Sequence, residues 1–238
     1  RPKIMGSNRP AVRGRLSPLA VAFAVAFAAV PACAPRPPRL VPPAGGVAAV
    51  EGVGSASVSG AEASVKGRFA FSFRRPDRGR VEAFDPLGRT VFLIVFRDGR
   101  GWFVLPNRKV YAEDAAGVMM GRVLGVVLEP GDAVLLLSGL WPPDEAAAAG
   151  GDAWLPGRDA EGRLASGRRG EFSFAVKAFF PGDGVPREIG LAGPGTTGRI
   201  KVSKLAFDPP ERPEAFDTGF LRGYAAKTWE EILELVER

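Results

Sequence analysis

The chain has no histidine and a single cysteine in 238 residues. The first absence removes Ser-His-Asp and Cys-His catalysis, His-ligated metal sites and any imidazole switch near neutral pH. The second removes an intrachain disulfide, a thiolate zinc cluster and a redox pair. Acidic residues are the other scarcity, 26 against 32 Lys+Arg, a formal net charge of +6. Such an excess raises nucleic acid or an anionic membrane as a partner, and its meaning depends on where it sits. The rest is ordinary: 46% hydrophobic and 24% charged residues suffice for a sizeable core in one domain, or at most two.

The charge sits at the start. Residues 1–32 hold Arg1, Lys3, Arg9, Arg13 and Arg15 without one acid, and an apolar run from Leu16 to Val30 is broken only by Ser17 and Pro18. A positive start, a short apolar stretch and small residues make a secretory signal peptide over 1–32, with Met5 the expected start. The run of 15 residues falls short of the roughly 20 that a spanning helix needs. No twin-arginine pair precedes it, which favours the general secretion route. It ends Val30-Pro31-Ala32-Cys33, which resembles a bacterial lipobox, although proline departs from the usual pattern. The resemblance implies a lipidated Cys33 and, with Ala34 rather than Asp after it, the outer membrane. Without the leader's five basic residues, 27 Lys+Arg face 26 Asp+Glu. Nucleic-acid binding then loses its compositional support.

Residues 34–46 hold five prolines and read, with Cys33, as an extended tether reaching about 40 Å at roughly 3.1 Å per residue. Beyond it the pattern is that of strands. Phe69, Phe71 and Phe73 alternate onto one face. Residues 80–85 follow a Pro76-Asp77 turn, and 90–97, with VFLIVF at its centre, is apolar on both faces. Asp98-Gly99 is a hairpin turn into 102–105. The spacing describes an antiparallel meander.

After Tyr111 the period changes. Ala116, Met119, Met120, Val123, Leu124 and Val127 recur at helical spacing, with Glu113 and Asp114 expected at the positive end of the helix. Gly117, Gly121 and Gly125 form a second stripe, which favours either close approach to a neighbour or mobility. Asp132 is expected to cap a second helix that Gly139 ends. Residues 142–170 read as a long loop with one hairpin. Phe172, Phe174, Val176, Ala178 and Phe180 alternate as a strand, and 199–207 is a final strand. Thr228 and Glu231 form a capping box for a C-terminal helix with Trp229, Ile232, Leu233 and Val236 on its apolar stripe.

Chemistry-bearing motifs are few. Gly193 to Gly198 lacks the lysine of a phosphate loop and leads into a strand. Ser64 and Lys66 share a strand face, but nothing else supports a hydrolase, so the reading is not an enzyme. Asp208, Glu211 and Glu214 lie among prolines as a solvated segment. In Phe84-Asp85-Pro86-Leu87-Gly88-Arg89-Thr90, Pro86 and Gly88 mark a tight turn that should aim Leu87 at solvent.

These segments, in this order, resemble the LolB-type outer-membrane lipoprotein receptors. The likeness runs through GRFAFSF (67–73), RVEAFDPLGRTVFLIV (80–95), AEDAAGVMMGRVLGVVLEPGDAVLLLSGL (112–140) and RIKVSKLAFD (199–208), about 60% of the chain. It implies an α+β, mainly β fold over 47–208, an incomplete antiparallel β-barrel closed by a helical lid, with 209–238 an extension bearing the C-terminal helix. It further implies an apolar cavity for lipoprotein acyl chains and a membrane-insertion turn at Pro86, Leu87 and Gly88. The candidate cavity residues are Phe69, Phe71, Phe73, Phe92, Ile94, Met119, Met120, Val123, Phe172 and Phe174. The residues themselves leave cavity and packed core both open. Expected partners are acylated lipoproteins, outer-membrane lipid and a periplasmic carrier, with Arg68 and Arg80 its candidate contacts. No cofactor, metal or nucleic acid is expected, and the protein is expected to be a monomer facing the periplasm. The alternative is an envelope lipoprotein that uses the same fold as a scaffold.

Overall fold

The computed structural model describes residues 38–59, 64–142 and 153–236. The leader and Cys33 lie outside them. In chain order the elements are β1 (Ala49–Ser59), β2 (Ser64–Arg74), β3 (Arg78–Phe84), β4 (Thr90–Arg97), β5 (Arg100–Leu105), β6 (Val110–Ala115), α1 (Ala116–Leu124) and α2 (Pro130–Ser138). There follow β7 (Leu155–Arg158), β8 (Leu164–Arg169), β9 (Phe172–Phe179), β10 (Pro186–Gly193), β11 (Thr196–Phe207), β12 (Ala225–Ala226) and α3 (Trp229–Val236). All twelve strands belong to one sheet, ordered β12-β6-β5-β4-β3-β2-β1-β11-β10-β9-β8-β7. Every pairing is antiparallel except β12 on β6. The sheet is open, with β7 and β12 at its edges, and α2 packs against β1, β2, β3 and β10 on its inner face.

Two meanders meet at β1, which pairs with β2 on one side and with β11 on the other. β1 has three valines, but its other eight residues are Ala, Gly, Ser and Glu, a poor strand composition by propensity. The cause lies in its partners. Phe69 and Phe71 stand directly across from Gly54 and Gly52, and their rings share the space above those glycines with two β11 carbonyls: a Cβ on Gly52 would meet Lys204 O first and sit 2.7 Å from Phe71 Cζ, and one on Gly54 would sit 2.6 Å from Lys201 O and 3.1 Å from Phe69 Cζ. The same pairing recurs with Phe73 and Phe96 over Gly79, and Phe174 over Gly167. Large rings therefore tile the inner face without needing wider strand spacing.

β4 is covered on both sides, as its apolar run predicts. Ile94 and Phe96 join the main core, whereas Leu93 and Val95 form an outer cluster with Val104, roofed by Leu221 and Tyr224 of the C-terminal segment. That segment crosses the outer face, adds β12 to the β6 edge and returns Trp229 and Ile232 to the main core.

Several expectations are corrected. Glu113 and Asp114 belong to β6 rather than to the first turn of α1, and Asp114 instead pairs with Arg122 at 3.1 Å. α1 ends at Gly125, whose positive φ of 67° closes it before Val127. The α2 cap is Glu129, with Pro130 opening the helix; Asp132 is at the third helical position and accepts the Glu129 N–H at 3.1 Å. Between the strands expected at 172–180 and 199–207, residues 186–193 form a further strand, β10, and Pro194-Gly195 turns it into β11. Of the 142–170 segment, 143–152 lie outside the described residues, and 153–170 form the β7–β8 hairpin. Asp208 accepts the Ala48 and Ala49 N–H groups at 2.8 and 2.9 Å, clamping the start of β1 to the end of β11. The proline-rich segment is held at Leu40, whose N–H donates to Pro181 O at 2.8 Å in the β9–β10 loop.

Candidate apolar cavity and protruding turn

A cavity of about 260 Å³ lies between the inner sheet face and the helices. Its floor is β2, where Phe69, Phe71 and Phe73 form a continuous row with ring centroids 5.7 and 6.0 Å apart. Phe92 and Ile94 of β4 make one wall, and Met120 and Val123 of α1 with Leu136 and Leu137 of α2 make the roof. Seven of the ten sequence-chosen residues thus meet around one space. Met119, Phe172 and Phe174 do not. Met119 is wholly buried with its Cβ against Gly101 on the far side of α1. Phe174 packs against Trp141 and Trp154 at 5.8 and 5.4 Å, and Phe172 covers Gly193. Helical and strand periodicity assign a face, but they do not say how far along that face the helices cover it.

The cavity's polar lining, Ser64, Lys66 and Arg68, is confined to one end, together with Phe84, Val91 and Val236. Val91 and Val236 are exposed as well as lining. This end is therefore the mouth, at the same end of the sheet as the β3–β4 turn. Sequence reasoning missed the C-terminal contribution of Val236, because nothing in the tail's pattern says which end of the sheet it reaches.

The turn itself is tightly specified. Asp85 Oδ1 accepts the Leu87 N–H at 2.8 Å and the Arg89 N–H at 2.9 Å, Oδ2 accepts Arg89 Nε at 2.7 Å, and Gly88 N–H closes on Asp85 O at 3.0 Å. Gly88 has φ 81° with open space around its missing Cβ, so the turn geometry rather than crowding calls for glycine. The hydrogen bonds from the Arg89 N–H and guanidinium hold the Asp85 carboxyl below its usual range. Leu87 stands 78% exposed at the tip.

The helices beside the cavity are connected by an unusually close return. Gly117 and Gly121 admit the 126–129 connection: a Cβ on Gly117 would lie 2.6 Å from Glu129 Oε1 and 3.2 Å from Val127 Cγ1, and one on Gly121 3.4 Å from Val127 Cγ2. Of the two readings of the glycine stripe, close approach is the one observed. Burial, and then the adjacent Asp132 charge, raise the Glu129 carboxyl above its usual range.

The other candidates are accounted for. Ser64 Oγ lies 3.3 Å from Ser59 Oγ, with no base beside it in that contact. Arg80 is half-buried and donates to Ala215 O at 3.2 Å beside the C-terminal segment, whereas Arg68 is exposed. Among the described residues, no group of three or more acidic, histidine or cysteine side chains is placed to hold a metal.

No protein-family model matches the chain, and no curated protein matches it in sequence. In structure the chain is similar to a domain from Vibrio parahaemolyticus described as an outer membrane lipoprotein-sorting protein domain, with 12% identity, TM-score 0.49, and 73% of this chain and 91% of that one covered. It is also similar to a DUF1329 family protein from Desulfovibrio piger, with 12% identity, TM-score 0.46, and coverage of 74% and 92%. A third similar structure is a LolA superfamily protein from Nitrosomonas europaea, with 11% identity, TM-score 0.45, and coverage of 76% and 94%.

Proposed function

We propose that the chain is a lipid-anchored envelope protein that accepts lipoprotein acyl chains in this cavity and passes them to the outer membrane, a role of the LolB type. The observation that carries the proposal is the coincidence of an aromatic- and methionine-lined cavity with a mouth beside an exposed, rigidly held leucine. Phenylalanine supplies area, and Met120 adapts to chains of different shape. An acyl chain of about 15 methylenes gains of order 10 kcal/mol by burial, so it cannot cross water freely. A mouth that abuts the bilayer removes that barrier. The volume of about 260 Å³ lies just below the roughly 300–1,000 Å³ of ordinary ligand sites. A whole chain therefore enters only as α1 and α2 shift away from the sheet. No covalent chemistry is needed, consistent with the lack of histidine.

Cys33 and Ala34 are part of the same proposal, as the lipidated residue and its sorting neighbour. With Leu40 docked, the seven residues from Cys33 reach about 20 Å, half the span of a fully extended 33–46 tether.

The decisive experiment presents an acylated lipoprotein on a soluble carrier to the processed chain bearing Cys33→Ser, followed by liposomes. The chain is expected to take up the lipoprotein and release it to liposomes, with Leu87→Glu retaining uptake and losing release. A fluorescent fatty acid that fails to bind, together with unimpaired release by Leu87→Glu, leaves the scaffold reading in its place.

A further inference from the structure

The net charge of the processed chain is close to zero, yet its basic residues are not evenly spread. On the outer face of the sheet, Arg68, Ser55 and Lys201 are in register across β2, β1 and β11, and Lys66, Ser57 and Arg199 form the next row. Neighbouring strands lie about 4.8 Å apart and alternate residues about 7 Å apart, so the four cations mark the corners of a rectangle of roughly 10 by 7 Å. The serines between them are exposed and small, which leaves a shallow floor. Among the described residues, Lys66, Arg68 and Lys201 form no ion pair, while Glu188, directly across from Lys201 on β10, pairs with Arg199 at 2.5 Å. The groove over this array is bordered by Asp85, Pro86 and Val91, so it runs into the Leu87 turn. The Asp85 charge is already engaged by Arg89.

We propose that this face docks on a membrane surface bearing anionic phospholipid headgroups, with Lys66, Arg68, Arg199 and Lys201 over the phosphates and Leu87 entering the interface beside them. The inference rests on the reading of the chain as a protein that works at a membrane, and adds to it the orientation and the class of lipid. Cations alone would suit an acidic protein equally well. The neighbouring Leu87 and Val91, 78% and 45% exposed, decide for lipid, since basic residues flanking bare apolar side chains are the composition of an interfacial segment. Position agrees. Leu40, where the segment leading from Cys33 meets the domain, is held at the β9–β10 loop, the opposite end of the sheet from the Leu87 turn. A tether of about 20 Å is short against β1, whose 11 residues span about 35 Å. An anchor at one end and Leu87 at the other therefore reach one bilayer together when the strands lie along it, which brings a face, rather than an end, onto the lipid.

The test is flotation of the processed Cys33→Ser chain with vesicles of phosphatidylcholine alone or with about 30% phosphatidylglycerol. Basic residues near an anionic surface each add to the attraction, so Lys66→Glu/Lys201→Glu should lower binding to the anionic vesicles at least about tenfold. The control, Arg78→Glu/Arg97→Glu, makes the same charge change at the other end of β3 and β4 and should stay within about threefold of the parent. Binding should fall as salt is raised from 0.05 to 0.5 M. Equal binding to both vesicle types, or equal losses for the two double variants, overturns the proposal. Normal vesicle binding by the Lys66/Lys201 variant with loss of lipoprotein uptake from an acidic carrier also overturns it, and assigns the patch to the carrier. Charge-dependent docking in a chain that binds no fatty-acid probe keeps this proposal and removes the acyl-transfer one. Melting curves by circular dichroism confirm that all variants are folded.

Discussion

Leu87 belongs to a turn that occurs twice in the chain. Asp85-Pro86-Leu87-Gly88-Arg89 and Asp159-Ala160-Glu161-Gly162-Arg163 share the frame Asp-x-x-Gly-Arg, and the hydrogen bonds repeat. Asp159 Oδ1 accepts the Arg163 N–H at 2.9 Å and Oδ2 accepts Arg163 Nε at 2.8 Å, as Asp85 does with Arg89. The β7–β8 copy carries Glu161 where the β3–β4 copy carries Leu87. The frame therefore folds with a carboxylate at the tip, and the leucine contributes nothing that the turn requires. Leu87→Glu is expected to change unfolding free energy by less than about 0.5 kcal/mol, measured by urea denaturation, whatever it does to delivery. The Asp85 carboxylate holds the frame. Since its folded pKa is lowered, its stabilising contribution is complete above the ordinary aspartate pKa and disappears as pH falls through the lowered value. The Leu87 and Arg89 amide resonances should titrate together with a midpoint below that of an ordinary aspartate, and Asp85→Asn should abolish the transition. A Leu87 amide unmoved by acid would show that the carboxylate is not what sets the tip.

At the scale of the element, the alternation of Phe69, Phe71 and Phe73 was readable because large side chains mark their own period. Their partner was not. β1 is a strand because rings from β2 lie over its glycines, a reason located on another strand, and its own residues carry little β-propensity. β10 was hidden in the same way, with Pro186, Gly190 and Gly193 weakening its local signal while Ile189 and Leu191 pack into the core. Two strand glycines separate ring cover from propensity. Gly79→Ala places a methyl 2.8 Å from Phe73 Cδ1 and 2.9 Å from Phe96 Cδ2, so it should destabilise by about 1–3 kcal/mol. The nearest atom to a Cβ on Gly67 is Phe84 O at 3.6 Å, an ordinary contact. Gly67→Ala should be neutral or stabilising by up to about 1 kcal/mol, because it restricts the unfolded chain. Equal costs at the two sites in denaturant melts would mean that loss of glycine itself, and not the ring above it, sets the energy.

On the scale of the whole molecule, the resemblance stops near residue 208, and the chain beyond that point does two separate things. Its first part roofs the outer cluster of Leu93, Val95 and Val104 with Leu221 and Tyr224, tied down by Arg78–Glu211 at 2.8 Å and by Arg74 to Pro209 O at 3.1 Å, and closes the β6 edge with Ala225–Ala226. Its second part, α3, sets Trp229 edge-on to Phe103 at 5.3 Å and ends with Val236 at the cavity mouth. The capping-box helix was legible, whereas its return to the inner face depends on the length and turns of 209–227, which carry no periodicity. Two truncations distinguish the parts. Ending the chain at Lys227 keeps the roof and the edge strand but bares Phe103, so the product should elute by size exclusion in the same oligomeric state as the parent. Losing buried Trp229 and Ile232 should make it less stable by at least the 3–5 kcal/mol typical of removing one large core side chain. With Val236 gone, the mouth is wider, and a fluorescent fatty acid should enter faster. Ending the chain at Asp208 also exposes the apolar outer cluster beside an unpaired β6 edge, a template for intermolecular strand pairing, and should give aggregated protein. A monomeric, folded product from the shorter chain would make the 209–238 segment an appendage, and would leave the burial of β4 on both faces without energetic consequence.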